Sequence, residues 1–316
     1  MSLKAFQTAI EEALPLGIRS VKLTGGEPLL HPRILDFLEF VRSRELSITL
    51  ETNGTLLSPA MARELAKNPK RFVSLSIDGT DAQTHDWIRG VPGSFDKACQ
   101  AVRLLAETGT PPQMILSIMN RNRGQVEAYV EMAEALGAAS VKFNVVQPTA
   151  RGQALHEDHL TLGVRDLIEL GGFVQEEVSK RTSIPVYFDF PMAFRSLQRI
   201  LSPNGCSVCG VFGILGVIAS GKYALCGIGN HIPELTFGTI GEDRLDTVWS
   251  QSPFLLSLRE SLPGRLEGIC SRCLMKWRCL GACIAQNYYS SGNPLAPYWF
   301  CQQAQKEGLF PENRLM

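Results

Sequence analysis

The sequence predicts an α/β fold built on a parallel sheet or barrel, followed by a small cysteine-rich region. Two observations carry this. Short apolar runs of β type alternate with helical stretches through the first half of the chain, and strand–helix alternation builds parallel sheets. Eight of the nine cysteines fall between Cys206 and Cys301. In a reducing cytosol such a cluster signals metal more often than disulfides.

The elements follow in order. Strands are expected at 20–23, 47–52, 72–77, 114–119 and 140–145, and helices at 3–14, 33–44, 59–67, 94–107, 125–136 and 163–181. The first helix is amphipathic, with Leu3, Phe6, Ile10 and Leu14 on one face. Ser58 precedes Pro59, a capping hydroxyl before a first-turn proline. Gly109 and Gly137 stand where helices end. The strand runs are short and apolar, as strands covered on both faces are. The strand at 20–23 would form a bare parallel edge, which points to a strand missing upstream. A further strand is expected at 184–188, then a turn at 202–205. Beyond it Gly, Pro and Cys dominate. That region is expected to bury little apolar surface and to rely on metal cross-links instead of a large core. The division expected is 1–183 for the α/β unit, 184–205 as a bridge and 206–316 for the cysteine-rich unit.

Charge excludes several functions. Lys+Arg and Asp+Glu are both 31, with no basic run or acidic tail, so nucleic acid is not an expected partner. The longest strongly apolar stretch, 208–219, is too short and Gly-rich to span a bilayer. The first helix lacks the continuous apolar core of a signal peptide. The expectation is a cytoplasmic protein with no membrane partner.

Parallel α/β folds bind ligands at the carboxyl ends of their strands. Here those ends read Thr24-Gly25-Gly26-Glu27-Pro28, Glu51-Thr52-Asn53-Gly54, Ser76-Ile77-Asp78-Gly79 and Ser117-Ile118-Met119-Asn120, with Asn144 to Pro148 closing the fifth. Any one could be an ordinary Gly-, Asn- and Asp-rich turn. Five in register are harder to read that way. Adjacent glycines let backbone groups approach a ligand closely.

VKLTGGEPLLHP, LETNGTLL, SIDG and HDWIRGVPGSF together resemble the radical S-adenosylmethionine (SAM) family over about residues 1–190. The resemblance implies a (β/α) barrel of TIM type, here partial and lacking its first strand. It implies that Gly25, Gly26, Glu27 and Pro28 meet the amino group of SAM, and that Asn53, Ser76, Asp78 and Ser117 line the same pocket. One departure is large. The family's C-x-x-x-C-x-x-C motif, which holds the catalytic [4Fe–4S] cluster, does not occur, and Cys99 alone precedes Cys206. Our reading is an N-terminally shortened chain, with a naturally cluster-free relative as the alternative. The SAM-binding cluster is then expected only in the full-length protein, and this chain alone is expected to be inactive.

The eight clustered thiols make two four-cysteine sets, which by ligand count suit zinc or [4Fe–4S] clusters alike. Their order is more specific. Gly221 stands five positions before Cys226. Cys270, Cys273, Cys279 and Cys283 follow with two, five and three residues between them, and Cys301 closes the set. This order resembles the SPASM extension of radical SAM enzymes. The resemblance implies two auxiliary [4Fe–4S] clusters with interleaved ligands: Cys206, Cys209, Cys226 and Cys283 for one, Cys270, Cys273, Cys279 and Cys301 for the other. Cys99, at helical spacing with Phe95 and Val102, reads as a core thiol. Trp277 and Trp299 read either as cluster shields or as core packing. His31, His85, His156, His159 and His231 read as surface or turn residues.

Members with this extension mostly oxidise or cross-link peptides and proteins. A radical generated from SAM abstracts hydrogen, and electrons leave through the auxiliary clusters. The implied partners are a ribosomally made precursor peptide and an electron donor. Gly227 after Cys226 departs from members that oxidise sulfatases, which carry Asp there. CGVFGILGVIASGKYALCGIG and CLMKWRCLGACIAQNYY resemble the maturases of SynChlorMet cassettes. No catalytic residue is assigned. Asp189, between aromatic residues, is weighed as a substrate-side base against a turn Asp. The rival class is a non-catalytic, metal-stabilised scaffold that binds a peptide.

Overall fold

Residues 1–201 and 209–316 are described by a computed structural model. Six parallel strands form one sheet in sequence order: β1 (Ser20–Leu23), β2 (Ser47–Thr52), β3 (Arg71–Ser76), β4 (Gln113–Ile118), β5 (Ser140–Val145) and β6 (Val186–Phe188). β1 and β6 are its edges, so the sheet is open among the described residues. The helices before and between these strands are α1 (Leu3–Ala13), α2 (Ile34–Ser43), α3 (Pro59–Ala66), α4 (Ala82–Arg89), α5 (Ser94–Glu107), α6 (Val126–Leu136), α7 (Arg151–Glu157) and α8 (Val164–Glu176). Five of the six predicted helices match to within two residues. The last is shorter than the expected 163–181, giving way to a 3₁₀ turn at Val178–Lys180. Ser58 accepts from the Met61 amide at 3.2 Å and Gly137 closes α6 with φ 82°, as their positions foretell. α4 and α7 have no counterpart in the sequence reading; both are short and weakly patterned.

The expectation of strands covered on both faces is corrected. Burial alternates along β2 and β4. Ile48, Leu50, Leu116 and Ile118 join Phe37, Val41 and Leu105 in one core. The opposite face carries Lys22, Glu51, Ser76, Ser117, Lys142 and Asn144, none of them buried. Apolar outer positions need helices over them. Polar inner positions keep that face wet, as a ligand-facing surface requires.

Beyond β6 come α9 (Leu197–Leu201) and a three-stranded antiparallel sheet of β7 (Gly216–Val217), β8 (Lys222–Ala224) and β9 (Thr236–Thr239). Then follow α10 (Leu245–Gln251), α11 (Pro253–Ser261), α12 (Gly268–Arg272), α13 (Lys276–Cys279), α14 (Ile284–Ser291) and α15 (Trp299–Lys306). The turn expected at 202–205, and Cys206 after it, lie outside the described residues. The expectation that this region buries little apolar surface is also corrected. Leu225, Leu255, Leu266, Ile284 and Phe300 belong to the same continuous core as the sheet. Phe190 and Phe194, just past β6, pack edge-on against Phe300 at 6.3 and 5.2 Å between ring centres. Scattered single aromatics and leucines, without period, reach a core that no apolar run announces. No helix among the described residues is long and apolar enough to cross a membrane.

Candidate functional site

The strand ends are cross-braced by side chains. Gly25 adopts φ 126°, which an L residue avoids, and open space lies where a side chain would stand on Gly25 and Gly26. Glu27 turns inward instead. Its carboxylate accepts from the Leu29 amide (3.0 Å), the Thr52 hydroxyl (2.7 Å) and the Asn53 amide (2.7 Å). The first two strand ends are thereby locked together, and the outer rim of Glu27 is what is left for a ligand. Asn53 uses its side-chain oxygen on Thr55.

Asp78 is 3% exposed and already committed. One oxygen accepts from the Ser117 amide at 2.9 Å and the other pairs with Arg89 Nε at 2.8 Å. Its own amide donates to His85 Nδ1 at 3.0 Å. Buried Asn122 donates to the Asp78 and Ser117 carbonyls, both at 3.0 Å. Asp78 and Ser117 are therefore brought together, with Asp78 as a brace between the ends of β3 and β4. His85 is 1% exposed, which corrects its reading as a surface residue. Burial lowers its pKa, so it stays neutral and can accept that bond. Thr52, His85, Arg89 and Asn122 were missed as functional residues. The run His85-Asp86-Trp87-Ile88-Arg89 held the signal for two of them.

On the inner sheet face Lys22 pairs with Glu51 at 2.5 Å, and Thr24 donates to the same carboxylate at 2.8 Å. Lys142 stands 4.0 Å from half-buried Asp189. Asn144, beside Ser117 in register, has a buried Oδ1 with no hydrogen-bond partner among the described residues. A buried acceptor left unmatched in an otherwise braced surface is suited to a donor from a ligand.

The thiols gather farther along the chain. Cys270, Cys273, Cys279 and Cys301 all line one cavity, together with Met192 and Tyr298. Burial, then the charges of the other three thiols, pushes the Cys301 thiol well above the ordinary cysteine range. Burial pushes Cys270 up to about 11, against the Tyr298 amide beside its sulfur. The Met275 amide donates to the Cys273 sulfur at 3.3 Å. A second group contains Cys283, raised to about 11 by burial against the Gln286 amide, and then by the charges of Cys209 and Cys226. The structure thus brings Cys270, Cys273, Cys279 and Cys301 together at one cavity and Cys209, Cys226 and Cys283 near one another, while Cys206 lies outside the described residues. Among those residues no three candidate ligands converge closely enough to hold a single metal ion. Buried thiols around one cavity, with amides aimed at sulfur, fit an iron–sulfur cluster.

Cys99 is 7% exposed and lies in the sheet core, apart from both groups. Trp277 is 67% exposed, so it shields nothing. Trp299 is half-buried and donates to Gln147 Oε1 at 2.9 Å.

Residues 1–140 match the model of the Radical SAM superfamily. Over those residues the chain is similar to that superfamily. The AdoMet-dependent heme synthase of Methanosarcina barkeri is 29% identical over 306 residues, covering 92% of this chain and 84% of that protein. The mycofactocin maturase MftC of Mycobacterium ulcerans is 25% identical over 297 residues, covering 93% and 78%. Among solved structures, SuiB of Streptococcus suis bound to S-adenosylmethionine superposes with a TM-score of 0.74 at 17% identity, covering 95% of this chain and 70% of that one. That likeness in fold reaches past residue 140 into the cysteine-rich half.

Proposed function

We propose that this chain belongs to a radical SAM enzyme that oxidises or cross-links a peptide or protein and carries two auxiliary [4Fe–4S] clusters. The observation that carries the reading is the convergence of Cys270, Cys273, Cys279 and Cys301 on one cavity. Cys209, Cys226 and Cys283, with Cys206, would hold the other cluster. SAM would lie over Gly25 and Gly26, with the rim of Glu27, Pro28, Asn53, Ser76 and Ser117 around it and Asp78 bracing the floor. Bound clusters supply one-electron transfer, and fully ligated ones leave no iron open to substrate. The chain's own residues set the rest. Glu27 and Asp78 keep the strand ends in register, and the inner polar face presents Lys142, Asn144 and Asp189 toward a substrate. The maturase resemblance supports a peptide substrate.

Anaerobic reconstitution tests the cluster reading. About eight irons with matching sulfide per chain are expected from two four-iron clusters. Two zinc ions without sulfide would overturn it. With dithionite as reductant, this chain alone is expected to form no 5′-deoxyadenosine, because it lacks the C-x-x-x-C-x-x-C thiols.

A second reading has its own support. The heme synthase similarity spans 92% of the chain, which favours a tetrapyrrole substrate. Binding of an iron-porphyrin precursor, seen as a shift of its Soret band and absent for candidate precursor peptides, would select that reading.

A further inference from the structure

Gln147 lies two residues past β5, at the substrate-facing end of the sheet. Its Oε1 accepts two hydrogen bonds from consecutive residues of the other half: the Tyr298 hydroxyl at 2.8 Å and the Trp299 indole N–H at 2.9 Å. The neighbouring loop grips the same point. His156 packs edge-on against Trp299 at 5.3 Å between ring centres, and its Nε2 lies 2.8 Å from the Val146 carbonyl. Gly152 permits the tight turn that brings α7 back, since a side chain there would strike the Gln147 carbonyl at 2.1 Å.

Tyr298 connects this joint to the thiols. It is 6% exposed and lines the cavity of Cys270, Cys273, Cys279 and Cys301. Its backbone amide lies beside the Cys270 sulfur. Cys301 stands two residues into α15, the helix that starts at Trp299. Plain packing of two aromatics would need only an apolar neighbour. Here one side-chain carbonyl collects both polar donors of the segment that opens the ligand-bearing helix.

We propose that Gln147 is a positioning residue: it acts through Tyr298 and Trp299 to fix the cavity of Cys270, Cys273, Cys279 and Cys301 against the strand ends. Amide hydrogen bonds to ligand sulfurs tune a cluster's potential. Gln147 therefore sets one auxiliary site's redox behaviour from outside its ligand shell. The redox half of this inference rests on the cluster reading above. The mechanical half does not.

The test uses the full chain as wild type, Gln147→Leu and Gln147→Glu, each metal-free and anaerobically reconstituted. In the metal-free protein, Gln147→Leu is expected to speed amide hydrogen exchange across 296–303 by about tenfold, as expected for a lost buried hydrogen bond. Gln147→Glu, which keeps the acceptor, is expected to restore protection. In the loaded protein, redox titration followed by electron paramagnetic resonance should show one midpoint moved to lower potential in Gln147→Leu. That signal should be the one missing from Cys270→Ala, while the other midpoint stays in place. Wild-type exchange rates in Gln147→Leu overturn the joint. Two unmoved midpoints, or two that move together, overturn its action on one site. If no variant takes up iron, the cluster reading fails, and the exchange measurement decides the joint by itself.

Discussion

Leu50, Leu75, Leu116 and Val141 in the sheet are each 0% exposed, and their neighbours in the core are other hydrocarbons. Cys270, Cys273 and Cys301 in the second half are buried nearly as well, at 8%, 8% and 7%, but around a cavity they share. Burial completes the first set. It leaves the second set as thiols that the surroundings hold protonated until something displaces the protons. Two halves of one core can thus be equally dry and still differ in what finishes them. The sheet half is complete as polypeptide, and the cysteine half is complete as a ligand set. The aromatic contacts of Phe300 with Phe190 and Phe194, and the Gln147 joint, show that the halves are not separate bodies.

Removing a ligand should give the largest separation between the halves. Cys283→Ala and Cys301→Ala are each expected to lose one cluster, about four irons, and the two losses should be additive. Each variant should expose the region after Gly210 to proteases while the sheet stays resistant. Iron per chain and limited proteolysis read this. A single substitution that removes all eight irons would mean the thiols form one site instead of two.

Phe300→Ala probes the shared core. Truncating a buried Phe costs about 3–5 kcal/mol. Because Phe300 is 0% exposed and touches the residues after β6, hydrogen exchange should quicken around 186–194 as well as in α15. Exchange that quickens in α15 alone would show that the halves are independent after all.

The halves should also respond to pH with opposite sign. Burial lowers the His85 pKa below its ordinary 6.5. Its contribution is present above about pH 6.5 and lost as pH falls through the folded value. Burial raises Cys270 and Cys283 from 9.0 to about 11. In metal-free protein their contribution is present below pH 9.0 and lost as pH rises toward about 11. Denaturant melts across this range, with His85→Asn as control, should show a sheet that weakens in acid and a cysteine half that weakens in alkali. Loading with metal should abolish the alkaline loss only.

Cys99→Ala is the smallest expected effect. It should leave iron unchanged and cost about 1 kcal/mol of packing, measured by chemical denaturation. Its thiol, pushed up to about 11 by burial, belongs to the sheet core and not to a ligand set. A lost cluster in this variant would overturn that placement.

Local pattern alone determined the sheet. β1, β2 and β5 begin and end where alternating apolar runs and turn residues place them, because a strand or helix boundary is set by neighbours a few positions away. The order of the cysteines carried a resemblance, and the resemblance, not the spacing itself, implied their division into two groups; in space Cys270, Cys273, Cys279 and Cys301 line one cavity. Tertiary structure decided what each polar residue is free to do. Glu27 and Asp78 carry the right chemistry for a ligand, yet most of their oxygens are taken by Thr52, Asn53, Arg89 and the Ser117 amide. His85 reads as an isolated polar residue until the fold buries it under the Asp78 amide. Gln147 and Tyr298 are 151 positions apart, and nothing in either stretch announces the other. Such pairings depend on where separate elements meet in space, and a hydrogen bond that closes between distant segments leaves no periodicity in the chain.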